Sequence, residues 1–222
     1  SIIVSSHNNG ESITKSIDSL LSQTYQNIEI LLLDDGSSDD TKLKIAKLAE
    51  QNERVKPFYN KSNIGLTKSL NKLIENSNGE IIGRHDADDI SISTRIEEQL
   101  TIFKHKNLDF CTTIAIRNDN GKKIPRYTNN IPKKLLIKYK NPFIHGTLMV
   151  RKYTVLNIGM YDENIKYAQD YKLFLDLLKK NYKIKILKSK LYVLNMENNI
   201  SSLKKEEQQY FFKKIQKEYL WK

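Results

Sequence analysis

Residues 28–35 read IEILLLDD, an apolar run broken only by Glu29 and closed by two aspartates. A strand with one wet face alternates apolar and polar residues, whereas a strand buried on both faces stays apolar throughout. The stretch is therefore expected to be an interior strand of a helix-covered sheet, with Asp34 and Asp35 at its carboxyl end. Upstream, SIIVSS (1–6) reads as a second strand, and Glu11 to Ser22 as a helix with Ile13, Ile17, Leu20 and Leu21 on one face. Downstream, Asp39 or Asp40 can cap a helix running to about Glu50. VKPFYN (55–60) is a weaker strand, and NIGLTKSLNKLIENSNG (63–79) a helix with Gly79 in the stop position. EIIGRH (80–85), STRIEEQLTIFKH (93–105) and LDFCTTIAI (108–116) continue as strand, helix, strand. This alternation predicts an α/β chain with a Rossmann-like, mostly parallel central sheet and helices on both faces.

After residue 115 the rhythm breaks. Residues 117–142 are polar and basic and hold Pro125, Pro132 and Pro142, which predicts loops over the sheet with one short helix around Leu135 to Tyr139. A strand is expected at GTLMVR (146–151), a helix from about Asp170 to Lys180, and two strands near KIKIL (183–187) and KLYVL (190–194). Leu203 to Lys222 reads as a Lys-rich C-terminal helix interleaved with Tyr210, Phe211, Phe212, Ile215, Tyr219, Leu220 and Trp221.

The chain has 222 residues, enough for one large domain or two small ones, and no apolar run approaches the ~20 residues that span a bilayer. SIIVSS lacks the basic flank of a signal peptide. Without an initiator Met the sequence is expected to be a trimmed piece, and an upstream targeting segment stays open. The single cysteine, Cys111, excludes an internal disulfide; its setting suits a buried strand thiol and a reducing, cytoplasmic compartment. The triplet Asn199-Ile200-Ser201 matches a glycosylation sequon and is discounted as a chance match. The net charge of +11 suits a polyanionic partner: nucleic acid, anionic lipid or a phosphorylated substrate.

Ligands of open parallel sheets bind at the carboxyl ends of the strands. There the sequence places Ser5-Ser6-His7-Asn8, then Asp34-Asp35-Gly36-Ser37, then GRHDADD (83–89). Asp34, Asp35, Asp86, Asp88 and Asp89 should thus meet on one edge, a surprising choice for a basic chain, since like charges repel. Neither GxGxxG nor GxxxxGK[ST] is present, so phosphates are not held by a glycine loop. Hard carboxylate oxygens suit Mg²⁺ or Mn²⁺, which keep positions open for substrate phosphates. Spacing alone leaves a helix N-cap with favourable charges as an equal reading.

The run SIIVSSHNNGESITKSIDSLLSQTYQNIEILLLDDGSSDDT, then NIGLTKSLN, then GEIIGRHDADDISISTR resembles glycosyltransferase family two, with its GT-A fold. The likeness runs to about residue 115 and resumes at HGTLMVRK and GMYDENIKYAQDYKLFLDL. It implies a single GT-A domain in two halves: residues 1–115 holding the nucleotide-sugar, and residues 116–202 supplying the acceptor site and catalytic base, followed by the helix 203–222. By this resemblance Ser6, Asn8 and Glu11 line a uridine pocket with Asp34 and Asp35, Asp35 accepting from the uracil ring, and Asn63 and Gly65 nearby. Asp86-Ala87-Asp88 is the DxD-type motif, with Asp88 the direct metal ligand and Asp86 and Asp89 in support. Arg84 either balances this acidic group, as an ion pair with Asp34 or Asp86, or touches the diphosphate. Asp170 takes the place of the general base, the alternative being an ordinary helix cap. The implied reaction is inverting transfer of a hexose or N-acetylhexosamine from a UDP-sugar, with Mn²⁺ or Mg²⁺, to an oligosaccharide or lipid-linked acceptor in bacterial surface-glycan synthesis.

Three departures from the family pattern stand out. Ser5, Ser6 and His7 replace the frequent Pro, Thr, Tyr; Gln169 replaces the first member of the acidic pair before Asp170; and Met196 stands where many members carry a His. A thioether is a poor ligand for Mg²⁺ or Mn²⁺, so His145 or a C-terminal Lys is a candidate substitute, with His145 otherwise facing acceptor or sugar. The basic aromatic tail reads either as packed on the domain or as lying on the inner face of the cytoplasmic membrane. Two rival functions are a nucleotidyltransferase, whose glycine- and lysine-rich N-terminal signature is missing, and a basic nucleic-acid-binding protein. The acidic strand ends would repel nucleic acid, so no nucleic-acid partner is expected.

Overall fold

The structure is a computed structural model describing residues 1–125, 131–197 and 204–219. The sequon and the Leu220–Trp221 end of the tail lie outside the described residues. β1 (Ile2–Ser6), α1 (Ile13–Leu21), β2 (Ile30–Asp34), α2 (Thr41–Gln51), β3 (Val55–Tyr59), α3 (Leu66–Asn76), β4 (Ile81–Arg84) and α4 (Arg95–His105) follow the sequence expectation closely. Between β4 and α4 a short β5 (Ile90–Ser91) intervenes. Then come β6 (Phe110–Arg117), β7 (Lys123–Ile124), α5 (Lys133–Leu136), β8 (Met149–Arg151), α6 (Lys152–Asn157), α7 (Gln169–Lys179), β9 (Ile184–Leu194) and α8 (Lys205–Tyr219).

One sheet joins them in the order β3-β2-β1-β4-β8-β6-β9-β5, with β7 on β6. β1, β2, β3 and β4 are parallel neighbours, and β6 and β9 run the same way; β5, β7 and β8 run against them. Every residue of β2 is buried, as its unbroken apolar run requires. One core packs Ile3, Leu31, Leu33 and Ile82 against α3 and α7; the other packs Ile2, Val4, Ile30 and Leu32 against α1, α2 and α4. Cys111 is buried on the second face.

Three local expectations are corrected. Gly79 does not end α3: the helix stops at Asn76, with Ser77 extended. Gly79 instead lets the chain pass the first residue, since a Cβ there would sit 2.5 Å from Ser1 N. KIKIL and KLYVL form one strand, β9, whose register against β6 slips around Ile114. A bulge absorbs residues without ending the strand, and the polar Lys188-Ser189-Lys190 only looked like a turn. The strand expected over 146–151 is confined to its second half, because His145–Thr147 form a 3-10 turn.

α8 packs Ile215, fully buried, with Phe211, Phe212 and Tyr219 onto the α7 face. Phe212 lies 4.2 Å from the Tyr171 ring, and Lys172 sits over Tyr219. Among the described residues no helix is long and apolar enough to cross a membrane.

Candidate active site

Parallel pairing sets Ser6 level with Asp34, and Asp34 level with Tyr59, so β1, β2 and β3 release their loops at one edge. Asp35, buried, ties these loops together. Its Oδ1 accepts from Asn60 Nδ2 at 2.8 Å and Ile64 N–H at 3.0 Å, and its Oδ2 accepts from Gly65 N–H at 2.9 Å. Gly65 has φ +93°, a left-handed conformation that favours glycine, and it opens α3. Asp34 Oδ1 accepts from Ser37 N–H at 3.2 Å. Ser6 Oγ donates to Asn9 Oδ1, and Asn8, also at positive φ (+54°), accepts from Ser38 N–H at 2.9 Å. His7 Nδ1 donates to the Asp35 carbonyl at 3.0 Å, clasping the β1 and β2 loops together. Asn63 and Glu11 are exposed at the rim.

The Asp86–Asp89 loop leaves β4 beside this group and is held from three sides. Ser16 of α1 donates to the Asp86 carbonyl at 3.1 Å, and Ser12 to the Ala87 carbonyl at 3.3 Å. His85, fully buried, bridges Ser16 Oγ (2.8 Å) and Ser91 Oγ (3.1 Å). Burial and the nearby Arg95 and Arg84 hold its pKa well below normal, so the ring is neutral and structural. From β9, Tyr192 Oη accepts from Asp86 N–H at 2.9 Å and donates to the Asp89 carboxylate. Asp89 Oδ1 also accepts from Asn195 N–H at 2.7 Å, so this buried side chain faces β9. The close approach here requires glycine at 146: a Cβ there would lie 2.4 Å from Tyr192 Oη and 2.6 Å from Asp86 Oδ2.

Arg84, 2% exposed, donates from Nη2 to Asp86 Oδ1 at 2.5 Å, which selects the ion pair with Asp86 over one with Asp34. Its Nε and Nη1 have no hydrogen-bond partner among the described residues. Burial and the Asp86 charge push the Asp88 carboxyl up to about 6, and Asp89 is raised for the same reasons with Asp88 added. The loop therefore carries more negative charge than Arg84 alone offsets. Among the described residues no three acidic, imidazole or thiol groups form a ready metal cluster. Asp86 and Asp88 can nevertheless offer two hard ligands, and Mg²⁺ commonly takes one or two carboxylates and completes its shell from substrate phosphate and water.

The second half of the chain carries Asp170 and His145. Ala168, at φ +59°, precedes α7, and Asp170 lies in its first turn. Asn141 Nδ2 donates to Asp170 Oδ2 at 2.7 Å. Burial raises the Asp170 pKa and the Asp86 charge adds to it, which places both carboxylates in one electrostatic environment. His145 Nε2 lies 2.7 Å from Tyr161 Oη, and burial beside Arg84 lowers its pKa to about 3, so it is a neutral imidazole. Met196 N–H donates to Asn118 Oδ1 at the far end of β9. A separate open cleft of about 380 Å³ lies among Asn71, Tyr161, Lys172 and Asp176 and contains none of the strand-end aspartates.

Tyr192, Asn141, Ser16 and His85 were not singled out from sequence. His85 and Asn141 adjoin quoted motifs, which is a weak signal; Tyr192 sits in a plain strand pattern and carries none.

Residues 1–159 match the family described as Glycosyl transferase family 2. EpsE of Bacillus subtilis (strain 168), which bears a glycosyltransferase name, is 36% identical over 155 residues, 68% of this chain and 55% of EpsE. The UDP-Glc:alpha-D-GlcNAc-diphosphoundecaprenol beta-1,3-glucosyltransferase WfgD of Escherichia coli is 31% identical over 183 residues, 82% of this chain and 70% of WfgD. The crystal structure of S. aureus TarS 1-349 in complex with UDP-GlcNAc superposes with TM-score 0.76 at 20% identity, covering 89% of this chain and 58% of that one. The chain thus spans little more than half of EpsE and of that TarS fragment.

Proposed function

The chain belongs to glycosyltransferase family 2 and has the GT-A fold, and from that premise we propose that it moves a hexose or N-acetylhexosamine from a UDP-sugar to a saccharide acceptor with inversion. The observation that carries this reading is the gathering of Asp34, Asp35 and the Asp86–Asp89 loop at the carboxyl edge of the parallel strands, the loop clamped by Arg84 from β4 and Tyr192 from β9. Ser6, Asn8, Glu11, Asp34, Asp35, Asn63 and Gly65 form the uridine side. In the free protein the Asp35 carboxylate already holds the loop at Ile64 and Gly65, so it shapes the pocket as well as offering a remaining lone pair to a uracil N–H.

Asp88 and Asp86 would hold Mn²⁺ or Mg²⁺, with Asp89 behind them, and the ion would carry the charge of the departing diphosphate. Arg84 fixes Asp86 for that task. Asp170 takes the proton from the acceptor hydroxyl. Asn141 donates to its Oδ2 and, with the first-turn amides of α7, fixes the carboxylate in place. The new oxygen–carbon bond forms at the anomeric centre as the bond to the diphosphate breaks on the opposite face, through an oxocarbenium-like state. UDP leaves without needing a protonated acid. By analogy with WfgD the acceptor is lipid-linked, which sets the enzyme to work in bacterial surface-glycan synthesis (lipopolysaccharide, capsule or glycoprotein glycan) at a cytoplasmic membrane face.

A panel of UDP-sugars, screened for UDP release with Mn²⁺, Mg²⁺ or chelator, tests the proposal. Asp170→Asn should keep UDP binding and lower transfer on the order of 10²–10⁴-fold. Transfer at the wild-type rate would remove Asp170 from the chemistry.

A further inference from the structure

Between Asp119 and Asp162 the chain contains no Asp or Glu but nine Lys and Arg. Part of that run forms α5 and its continuation, where Leu136 N–H and Ile137 N–H bond to Pro132 and Lys133 carbonyls and Lys140 N–H to that of Leu136. Leu136 and Ile137 enter the core, at 6% and 2% exposure. Ile131, Leu135 and Tyr139, four residues apart, face outward at 43%, 48% and 68% exposure. Lys134 and Lys140 are exposed beside them. The segment is braced from behind: Tyr171 Oη donates to the Ile137 carbonyl at 2.9 Å, and Gln216 Nε2 of α8 to the Lys138 carbonyl. α8 adds the exposed Lys213 and Lys217 flanking Gln216; its nearest acid, Glu218, is half-buried.

We propose that Ile131, Leu135 and Tyr139, with the lysines of α5 and α8 around them, form the face on which this protein rests on an anionic lipid bilayer. An apolar stripe ringed by lysines matches the headgroup–acyl boundary, where side chains of both kinds find partners. A nucleic acid offers the lysines a partner but leaves the stripe in water. A second copy would bring a like-charged face against this one. The aromatic side of α8, which the sequence offered for this task, is spent on the domain core. Asn141 follows Lys140 directly and holds Asp170, so the face borders the acceptor wall. The inference deepens the reading of a lipid-linked acceptor, yet its test uses neither donor nor acceptor, so each can fail without the other.

The experiment is sedimentation of the full chain with vesicles of phosphatidylcholine alone or mixed with phosphatidylglycerol. Wild type is expected to pellet with the anionic vesicles only. A basic residue at an anionic surface contributes roughly fivefold in partitioning, so Lys134→Glu with Lys140→Glu should weaken binding by at least about 25-fold. Leu135→Ser with Tyr139→Ser should also release the protein. All four side chains are exposed, and an unchanged melting curve verifies folding. Lys104→Glu with Lys106→Glu, an equal charge change on the exposed end of α4, should leave most of the binding intact. Equal recovery with neutral vesicles, no recovery with either, or an equal loss in the α4 variant overturns the proposal. Self-association abolished by Leu135→Ser with Tyr139→Ser would assign the stripe to a second copy instead.

Discussion

Replacing Asn141 by Ala isolates what holds the proposed base. The amide donates to Asp170 Oδ2 at 2.7 Å, and its own oxygen accepts from Phe143 N–H at 3.1 Å, so one side chain fixes both the carboxylate and the loop. Burial raises the Asp170 pKa, Asp86 raises it further, and the Asn141 bond, with the first-turn amides of α7, pulls it down. A hydrogen bond to a charged group is worth about 1.5–3 kcal/mol. Losing it therefore raises the Asp170 pKa further. The ionised carboxylate is the working form, so activity is present above its pKa and lost as pH falls through it. The acid limb of kcat/KM should therefore move to higher pH in Asn141→Ala. The assay is the initial rate of UDP release against pH, with saturating donor and with metal held constant. A variant whose limb coincides with wild type, or moves to lower pH, refutes the assignment. A lowered plateau with an unmoved limb would leave Asn141 a packing residue.

Other perturbations probe the acidic loop. Gly146→Val places side-chain atoms where Tyr192 Oη and Asp86 Oδ2 already crowd a Cβ position, at 2.4 and 2.6 Å, and should cost about 1–3 kcal/mol in urea unfolding together with weaker UDP binding. Tyr192→Phe keeps the ring volume but strands the Asp86 N–H and takes a donor from Asp89; a loss of about 1–3 kcal/mol is expected, and an unchanged urea midpoint would mean the loop is held without it. Chelation should abolish transfer and added Mn²⁺ or Mg²⁺ restore it. Asp88→Asn should blunt that recovery, whereas full activity in chelator would give the diphosphate charge to side chains alone.

Much of the fold was legible because the relevant signals are local. Apolar runs with period-two or continuous burial mark β1, β2, β4 and β6, and each lies within two residues of its expectation. The misses share a physical origin. β5 and β7 are two-residue strands that exist only because β9 and β6 offer edges, which no local pattern encodes. β9 looked like two strands because a bulge lets a polar triplet ride over the sheet without a turn. At the site, the aspartates announced themselves by clustering, but their supports did not. Tyr192 lies 106 residues from the Asp86 amide it receives, and Asn141 lies 29 from Asp170. Partners at such separations are products of topology, and only the folded chain brings them into register.

The acidic loop in a basic protein finds its resolution in that topology. Exposed lysines offset carboxylates weakly, because water and salt screen charges beyond roughly 8–10 Å. The compensation within the fold is instead short-ranged: Arg84 on Asp86, the Tyr192 hydroxyl and the Asn195 amide on Asp89. These contacts stop short of neutrality, since Asp88 is still driven up to about 6 by burial and by Asp86. A carboxylate in that condition gains from an added positive charge, and a divalent cation that can share its remaining positions with a diphosphate provides it. The lysines serve a different surface. Those of α5 stand around exposed apolar side chains, in a stretch free of acids, where an extended anionic plane can engage many of them together. A single fold thus keeps two charge systems apart: a buried, short-range one at the proposed cation site, and a solvated, collective one at the proposed membrane face. Salt separates them experimentally. Raising ionic strength should release the protein from anionic vesicles while leaving UDP binding at the buried loop nearly unchanged, and parallel loss of both would mean that one surface serves both ligands.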